Sequence, residues 1–337
     1  MKAIVQESYG APAVLQLRDI DKPVVGDDDV LVAVQAAGVD PGVWHLAAGR
    51  PYLVRLMGTG LRAPKARVRG MDVAGRVETV GANVTGVKPG DEVFGACGLM
   101  ADGAFAEYAS VPADRLAAKP ANLTFEQAAA VPVSACTALQ ALRDKGQVQP
   151  GQGVLITGAA GGVGTFAVQM AKAFGAEVTG VCSQTKLDLL RSLGADHVID
   201  RGAEDFADGT RRFDLIIDTA GNRPLSQLRR ALAPRGTVVI VGGEGGNRWS
   251  GGFGRQMVRA PLLSLFVGQK LVALMSNVNA ADLDVVRGLI EAGKVTPVID
   301  RTYPLAEAAD AIRYVHAGRA RGKVVVSVAQ SAVEAAA

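Results

Sequence analysis

The chain has 337 residues, 49% hydrophobic and 20% charged, usage that excludes a disordered or fibrous polymer and, at roughly 150 residues per domain, points to about two folded domains. Lys and Arg exceed Asp and Glu by 36 − 33 = 3, too narrow a margin for nucleic-acid binding through whole-chain charge. Glycine is the outlier, 41 of 337 residues or about 12% against ordinary usage of about 7%, which calls for tight turns or close backbone approaches.

Cys97, Cys136 and Cys182 stand far apart without a C-x-x-C spacing, so neither a disulfide framework nor a thiolate zinc site is suggested and a reducing compartment is expected. Gln6 and Glu7 interrupt the N-terminal stretch where an export signal would be apolar. No apolar run approaches the ~18 residues of a membrane span. The expectation is a soluble, cytoplasmic protein without a membrane anchor, whose partners are small molecules.

In chain order, Ala3–Val5, Leu15–Leu17, Val30–Val34, Val73–Val80 and Glu92–Phe94 are short apolar or alternating runs separated by Gly, Pro and Asp, which predicts a barrel-like β-rich domain. Between Gly49 and Met71 the chain carries Arg50, Arg55, Arg62, Lys65, Arg67 and Arg69 and no acid. That segment reads as a basic loop with some helix, either a solvated connection or an attractor for an acidic substrate or cofactor phosphate. From Phe125 the pattern changes. Phe125–Leu142 is Ala-rich with helical period, and strands then alternate with helices: Val154–Thr157, Val163–Phe174, Val178–Cys182, Lys186–Leu193, His197–Ile199, Asp214–Asp218, Leu225–Leu232, Thr237–Val241 and Lys270–Met275. Repeated βα units predict an α/β fold with a doubly wound parallel sheet. The tail holds helical stretches Ala281–Ala292 and Leu305–His316, a strand Lys323–Val328 and an Ala-rich end, Ala332–Ala337, expected to fray. The Gly-rich stretch Gly242–Gly254 reads as a mobile flap or a plain loop.

The strongest chemical pattern is Gly158-Ala159-Ala160-Gly161-Gly162-Val163-Gly164, between an apolar strand and a helix whose apolar positions Val163, Phe166, Ala167, Met170, Ala171 and Phe174 fall on one face. Bare backbone at Gly161 and Gly162 lets a pyrophosphate approach, and free N–H groups at the helix start stabilise its charge. Gly161, Gly162, Val163 and Gly164 are therefore candidate dinucleotide contacts. After the second strand, where a carboxylate would select the ribose 2′-OH, Cys182-Ser183-Gln184-Thr185-Lys186 has no acid. Ser183 and Lys186, with Arg201 after the third strand, suit a 2′-phosphate, so NADP(H) is preferred over NAD(H). The same residues also serve as an ordinary helix start and cap.

At this point the residues carry a resemblance. Ala37-Gly38-Val39-Asp40-Pro41, Val80-Gly81 through Val87-Lys88-Pro89-Gly90-Asp91-Glu92-Val93, Gly103-Ala104-Phe105-Ala106-Glu107-Tyr108, the glycine loop, Leu193-Gly194-Ala195-Asp196, Gly242-Gly243 and Arg321-Gly322-Lys323-Val324 resemble the medium-chain dehydrogenase/reductase superfamily. The likeness is to its zinc-free quinone oxidoreductase-like and enone reductase branch. It implies a GroES-like catalytic domain, residues 1–124 completed by 277–337, around a Rossmann NADP(H)-binding domain, residues 125–276. Homodimers or homotetramers are common among such proteins. Asp40 and Met71 stand where zinc-dependent relatives have ligands, and a thioether suits Zn²⁺ poorly. His45, His197 and His316 lie on separate segments, so no metal is expected.

Without a metal, oxidation of a plain alcohol loses the superfamily's usual means of forming an alkoxide. Activated alkenes (enals, enones) and quinones are easier acceptors, because the protein need only align them and stabilise an oxygen anion. An alcohol dehydrogenase and a nucleotide-responsive binding protein are the competing readings. The resemblance places Asp40, Trp44 and Tyr52 towards the active site, with Tyr52 as proton or hydrogen-bond donor and Asp40 in an orienting role. It also implies nicotinamide-side contacts from Thr137, Ala220, Gly242, Gly243, Phe266 and Val267, and a position near the cofactor for Lys323.

Overall fold

The computed structural model describes residues 1–98, 100–221, 223–243 and 247–328. The Ala332–Ala337 tail and residues 244–246 of the expected flap lie outside the described residues. Among the described residues two units are present: Met1–Val133, Val278–Glu291 and 297–328 form the first, and Ser134–Asn277 with Ala292–Thr296 the second.

The first unit begins with a ribbon of β1 (Lys2–Val5) and β2 (Gln16–Asp19), paired antiparallel. The long strand β3 (Asp29–Val39) follows, then helix α1 (Pro41–Ala48), β4 (Asp72–Val80), β5 (Glu92–Ala96), β6 (Tyr108–Pro112) and β7 (Leu116–Ala118). Pro41 opens α1 with its φ already set, and Gly49 closes it in the left-handed conformation at φ 58°. In the basic segment a helical turn covers Arg55–Thr59, continuing from helical backbone at Leu53 and Val54. Helix α2 (Phe125–Ala129) starts with a capping box, in which Thr124 Oγ1 accepts the Gln127 N–H and the Gln127 side chain accepts the Thr124 N–H.

The Ala-rich helix expected over Phe125–Leu142 is broken. Val131 precedes Pro132, whose ring disfavours helical backbone at the residue before it, so α3 (Pro132–Gln140) is a separate helix and the unit boundary falls within it. α2 packs on β3 and β4, which moves the boundary from residue 124 to Val133. Gly38 shows how close that packing is: a Cβ there would meet the Ala129 carbonyl and the Asp72 carboxylate.

The second unit holds β8 (Gly153–Thr157), α4 (Gly162–Ala173), β9 (Glu177–Cys182), α5 (Leu187–Ser192), β10 (His197–Asp200), β11 (Phe213–Asp218), α6 (Leu225–Ala231), β12 (Leu232–Ile240), α7 (Gly251–Ser264) and β13 (Lys270–Ala273). All strand pairs are parallel, in the order β10-β9-β8-β11-β12-β13. This is the doubly wound arrangement expected from the sequence, with its switch of direction between β8 and β11, where open α/β sheets leave a crevice. Leu155, Ile216, Val238 and Leu271 form the buried core of this sheet with Leu228 and Ala260 of the covering helices. The last part of the expected flap is the first turn of α7.

The tail returns to the first unit with α8 (Ala280–Glu291), β14 (Ile299–Pro304), α9 (Ala308–His316) and β15 (Lys323–Ser327). The sheet order is β14-β15-β3-β4-β5-β7, with β6 also paired to β3. β15 therefore lies inside the sheet, parallel to β14 and antiparallel to β3. Val30, Val32, Val34, Val73, Val77, Val324 and Val326 share one buried core. Among the described residues no helix is long and apolar enough to cross a membrane.

Candidate functional site

β8 delivers the glycine loop to the sheet's C-terminal edge. Gly158 turns with φ 65°, a left-handed conformation that side chains disfavour, and a Cβ there would lie 2.5 Å from Thr219 Oγ1. Gly161 is the N-cap of α4, and its carbonyl accepts the Thr165 N–H at 3.0 Å. The N–H groups of Gly162, Val163 and Gly164 thus form a first turn with no acceptor inside the helix. Gly164 lets α4 approach the strand, because a Cβ would lie 2.6 Å from Ala159 backbone atoms. The loop has the bare surface and the orphan donors that a diphosphate needs.

The neighbouring strands end beside it. Ser183 follows β9 and Lys186 ends the short turn after it. The Arg201 N–H donates to the Cys182 carbonyl at 2.8 Å, tying the loop after β10 to the end of β9. Ser183, Lys186 and Arg201 are thus brought to one corner of the second unit. The sequence reading missed Asp200, the last residue of β10, which pairs in register with Cys182 and whose carboxylate accepts the Gly202 N–H at 3.0 Å.

On the other side of the switch point the structure shows a second unforeseen carboxylate. Asp218, buried at the end of β11, accepts from Thr157 Oγ1 at 2.5 Å and from the Gly221 N–H at 3.0 Å. Burial raises its pKa, against the opposing effect of those hydrogen bonds. It fixes the loop carrying Ala220 to the strand carrying the glycine loop. Gly242 and Gly243 follow β12 at the same edge, and Thr137 Oγ1 donates to Ser276 Oγ at 2.7 Å beyond the end of β13. Ser276 was not singled out from the sequence. Phe266 and Val267 precede β13, at the opposite edge of the sheet, and Phe266 is 83% exposed. The expected nicotinamide contact from this pair is therefore corrected: the apolar run lies before the strand, whereas Leu274 to Ser276 lie after it.

In the first unit, Asp40 is the N-cap of α1, and Lys323, the first residue of β15, reaches it. Lys323 Nζ donates to Asp40 Oδ1 at 2.5 Å and to Asp72 Oδ2 at 2.8 Å. Relative exposures are 7% for Asp40, 0% for Asp72 and 2% for Lys323. Asp72 Oδ1 also accepts the Val133 N–H at 2.8 Å. Two carboxylates around one ammonium leave a surplus negative charge out of water. Burial first, and Asp40 second, push the Asp72 carboxyl well above its usual range. Burial opposes the charge on Lys323, but the two carboxylates outweigh it and raise its pKa. Lys323, expected near the cofactor, has its ammonium buried between Asp40 and Asp72, and β15 is an interior strand. Asp40, expected in an orienting role, accepts from the Lys323 ammonium.

Trp44 stacks on His316 at 3.9 Å between ring centroids, and Tyr52 lies under the Arg55 guanidinium at 5.0 Å. Arg55 also covers Tyr9.

Asp40 and Met71, at the two places matched to zinc ligands, make an unsuitable donor set: Asp40 is engaged by Lys323 and Met71 offers a thioether. Burial, followed by Asp72, pushes the Cys97 thiol up to about 12. Among the described residues no three His, Cys, Asp or Glu side chains converge.

Comparison with known proteins gives the chain's family. A family model described as alcohol dehydrogenase GroES-like domain matches residues 26–121, and one described as zinc-binding dehydrogenase matches residues 193–326. The chain is 35% identical to the 2-methylene-furan-3-one reductase of Solanum lycopersicum, covering 97% of this chain and 79% of the relative. It is 32% identical to the mitochondrial NAD(P)H oxidoreductase RTN4IP1 of Mus musculus, covering 97% and 89%. The solved structure of the quinone oxidoreductase from Coxiella burnetii superposes with a TM-score of 0.85 at 30% identity, covering 98% of this chain and 99% of the other.

Proposed function

The chain belongs to the medium-chain dehydrogenase/reductase superfamily and is an oxidoreductase, and from that premise we propose that it reduces activated alkenes or quinones with NADPH, without zinc. The observation that carries the dinucleotide part is the glycine loop: a left-handed Gly158, orphan donors from Gly162 to Gly164, and a Gly164 that no side chain can replace. When bound, the reduced nicotinamide supplies a hydride.

The chain's own residues bind and orient. The first turn of α4 takes the diphosphate, and Ser183, Lys186 and Arg201 take the 2′-phosphate. Asp218 holds the loop carrying Ala220, and the Thr137–Ser276 pair supplies hydroxyls at the far end of the edge. Tyr52 is the proposed hydrogen-bond donor to the oxygen that gains charge as the acceptor is reduced. Asp40 and Met71 support the zinc-free part, since an ammonium already neutralises the one and the other is a thioether.

The test is NADPH oxidation by the purified chain with an enone and a naphthoquinone, beside elemental analysis and chelator treatment. Turnover of either acceptor, at a rate unchanged by chelator, is expected. Tight NADPH binding with no turnover of any acceptor overturns the catalytic reading. Stoichiometric zinc with chelator-sensitive alcohol oxidation replaces it by an alcohol dehydrogenase.

A further inference from the structure

The second unit contains a groove of about 770 Å³ that the proposed reaction does not use. It runs between the start of α6 and the length of α7, and only its Gly221 end reaches the strand edge that carries the dinucleotide residues. Its size lies within the range of small-molecule pockets.

Arg255 and Arg259 line it one helical turn apart, and Arg223, just before α6, faces them. Further along α7 the lining becomes apolar, with Leu262, Leu263 and then Phe266, opposite Leu225. Positions 255, 259, 262 and 266 recur at helical spacing, so one stripe of α7 and its exit passes from cationic to apolar along the groove.

No carboxylate lines the groove among the described residues. Asp205 and Asp218 act on Arg223 from outside it, and Arg223 also lies over the Phe206 ring at 5.3 Å. Leu262 is 54% exposed although it sits on a helix against this unit, a cost in water that an apolar occupant removes.

We propose that the groove between α6 and α7 binds a single-chain amphipathic anion, its acidic head on Arg223, Arg255 and Arg259 and its apolar chain along Leu225, Leu262, Leu263 and Phe266. The class is an acyl or alkyl chain ending in a phosphate or carboxylate. Guanidinium groups recognise both heads by paired hydrogen bonds. The site is distinct from the dinucleotide edge, so both ligands bind together.

The test is calorimetric titration of the full chain with decyl phosphate below its micelle concentration. Inorganic phosphate, neutral decyl maltoside and phosphatidylglycerol vesicles are separate arms. One decyl phosphate per chain is expected, at least tenfold tighter than inorganic phosphate or decyl maltoside and unchanged by saturating NADPH. Arg255→Ala with Arg259→Ala weakens it at least tenfold while the thermal midpoint stays in place. Leu262→Asn, also at an exposed position, removes the preference for decyl over hexyl phosphate. Equal binding of the maltoside, or full binding by both variants, overturns the proposal. So does displacement by NADPH, which assigns the ligand to the dinucleotide edge, or binding to vesicles alone, which makes the face a lipid-surface contact.

Discussion

At Lys323 one ammonium serves two buried carboxylates, and the pH dependence of stability carries the mark of that imbalance. Asp72, held above its usual range, keeps its proton in the folded chain when the unfolded chain has lost it. The folded state then binds more protons, so this group lowers stability as pH rises above about 4, the ordinary carboxylate value, up to its folded pKa. Asp72→Asn, measured by urea unfolding from pH 4 to pH 8, is expected to lack this downward component relative to wild type; identical slopes refute it. Lys323→Met removes the buried counter-charge of Asp40, beside an Asp72 that keeps its proton, and is expected to cost about 3–5 kcal/mol, read from the same urea midpoints. Little of this was readable from sequence. Asp40 stood out by resemblance, but its partner is 283 positions away and Asp72 lies 251 from the same lysine, and no local pattern encodes such a pairing. The glycine loop, by contrast, was readable because its whole mechanism is contained in seven consecutive residues.

At the scale of elements, the proposed 2′-phosphate site lies at the end of β9, with Ser183 and Lys186 there and the Arg201 backbone tied to it through the Cys182 carbonyl. Lys186→Glu is expected to raise KM for NADPH about 10- to 100-fold, the effect of losing one charge-assisted contact, and KM for NADH far less. Equal changes for both dinucleotides dismiss the 2′-phosphate assignment. Asp200 stands in the same corner, so on the proposed reading the cations have an acid to outweigh, a balance that a motif search does not weigh. Elements were misread where periodicity outlasted its cause. Phe125–Leu142 keeps a helical pattern through Pro132, but the backbone breaks there.

Across the whole molecule, the parallel sheet is made from one continuous stretch, whereas the β-rich sheet needs both ends of the chain. Alternating βα units make the first kind visible in sequence; the second was expected only through family likeness, since nothing local in Lys323–Ser327 says that it lies beside β3. Ending the chain at Gly318 removes β15 and opens the sheet between β14 and β3. Amides of β3 and β4 are then expected to exchange freely with deuterium while those of β8 and β11 stay protected; retained protection in β3 contradicts this.

The interior position of β15 also dictates an order of events on the ribosome. Every strand of the dinucleotide-binding sheet has been synthesised before Lys323 emerges, so that unit is free to mature while the other waits with two carboxylates and no cation between them. A nascent chain that stops short lacks the ammonium that bridges Asp40 and Asp72, and the late arrival of a single lysine separates a finished molecule from an abortive one.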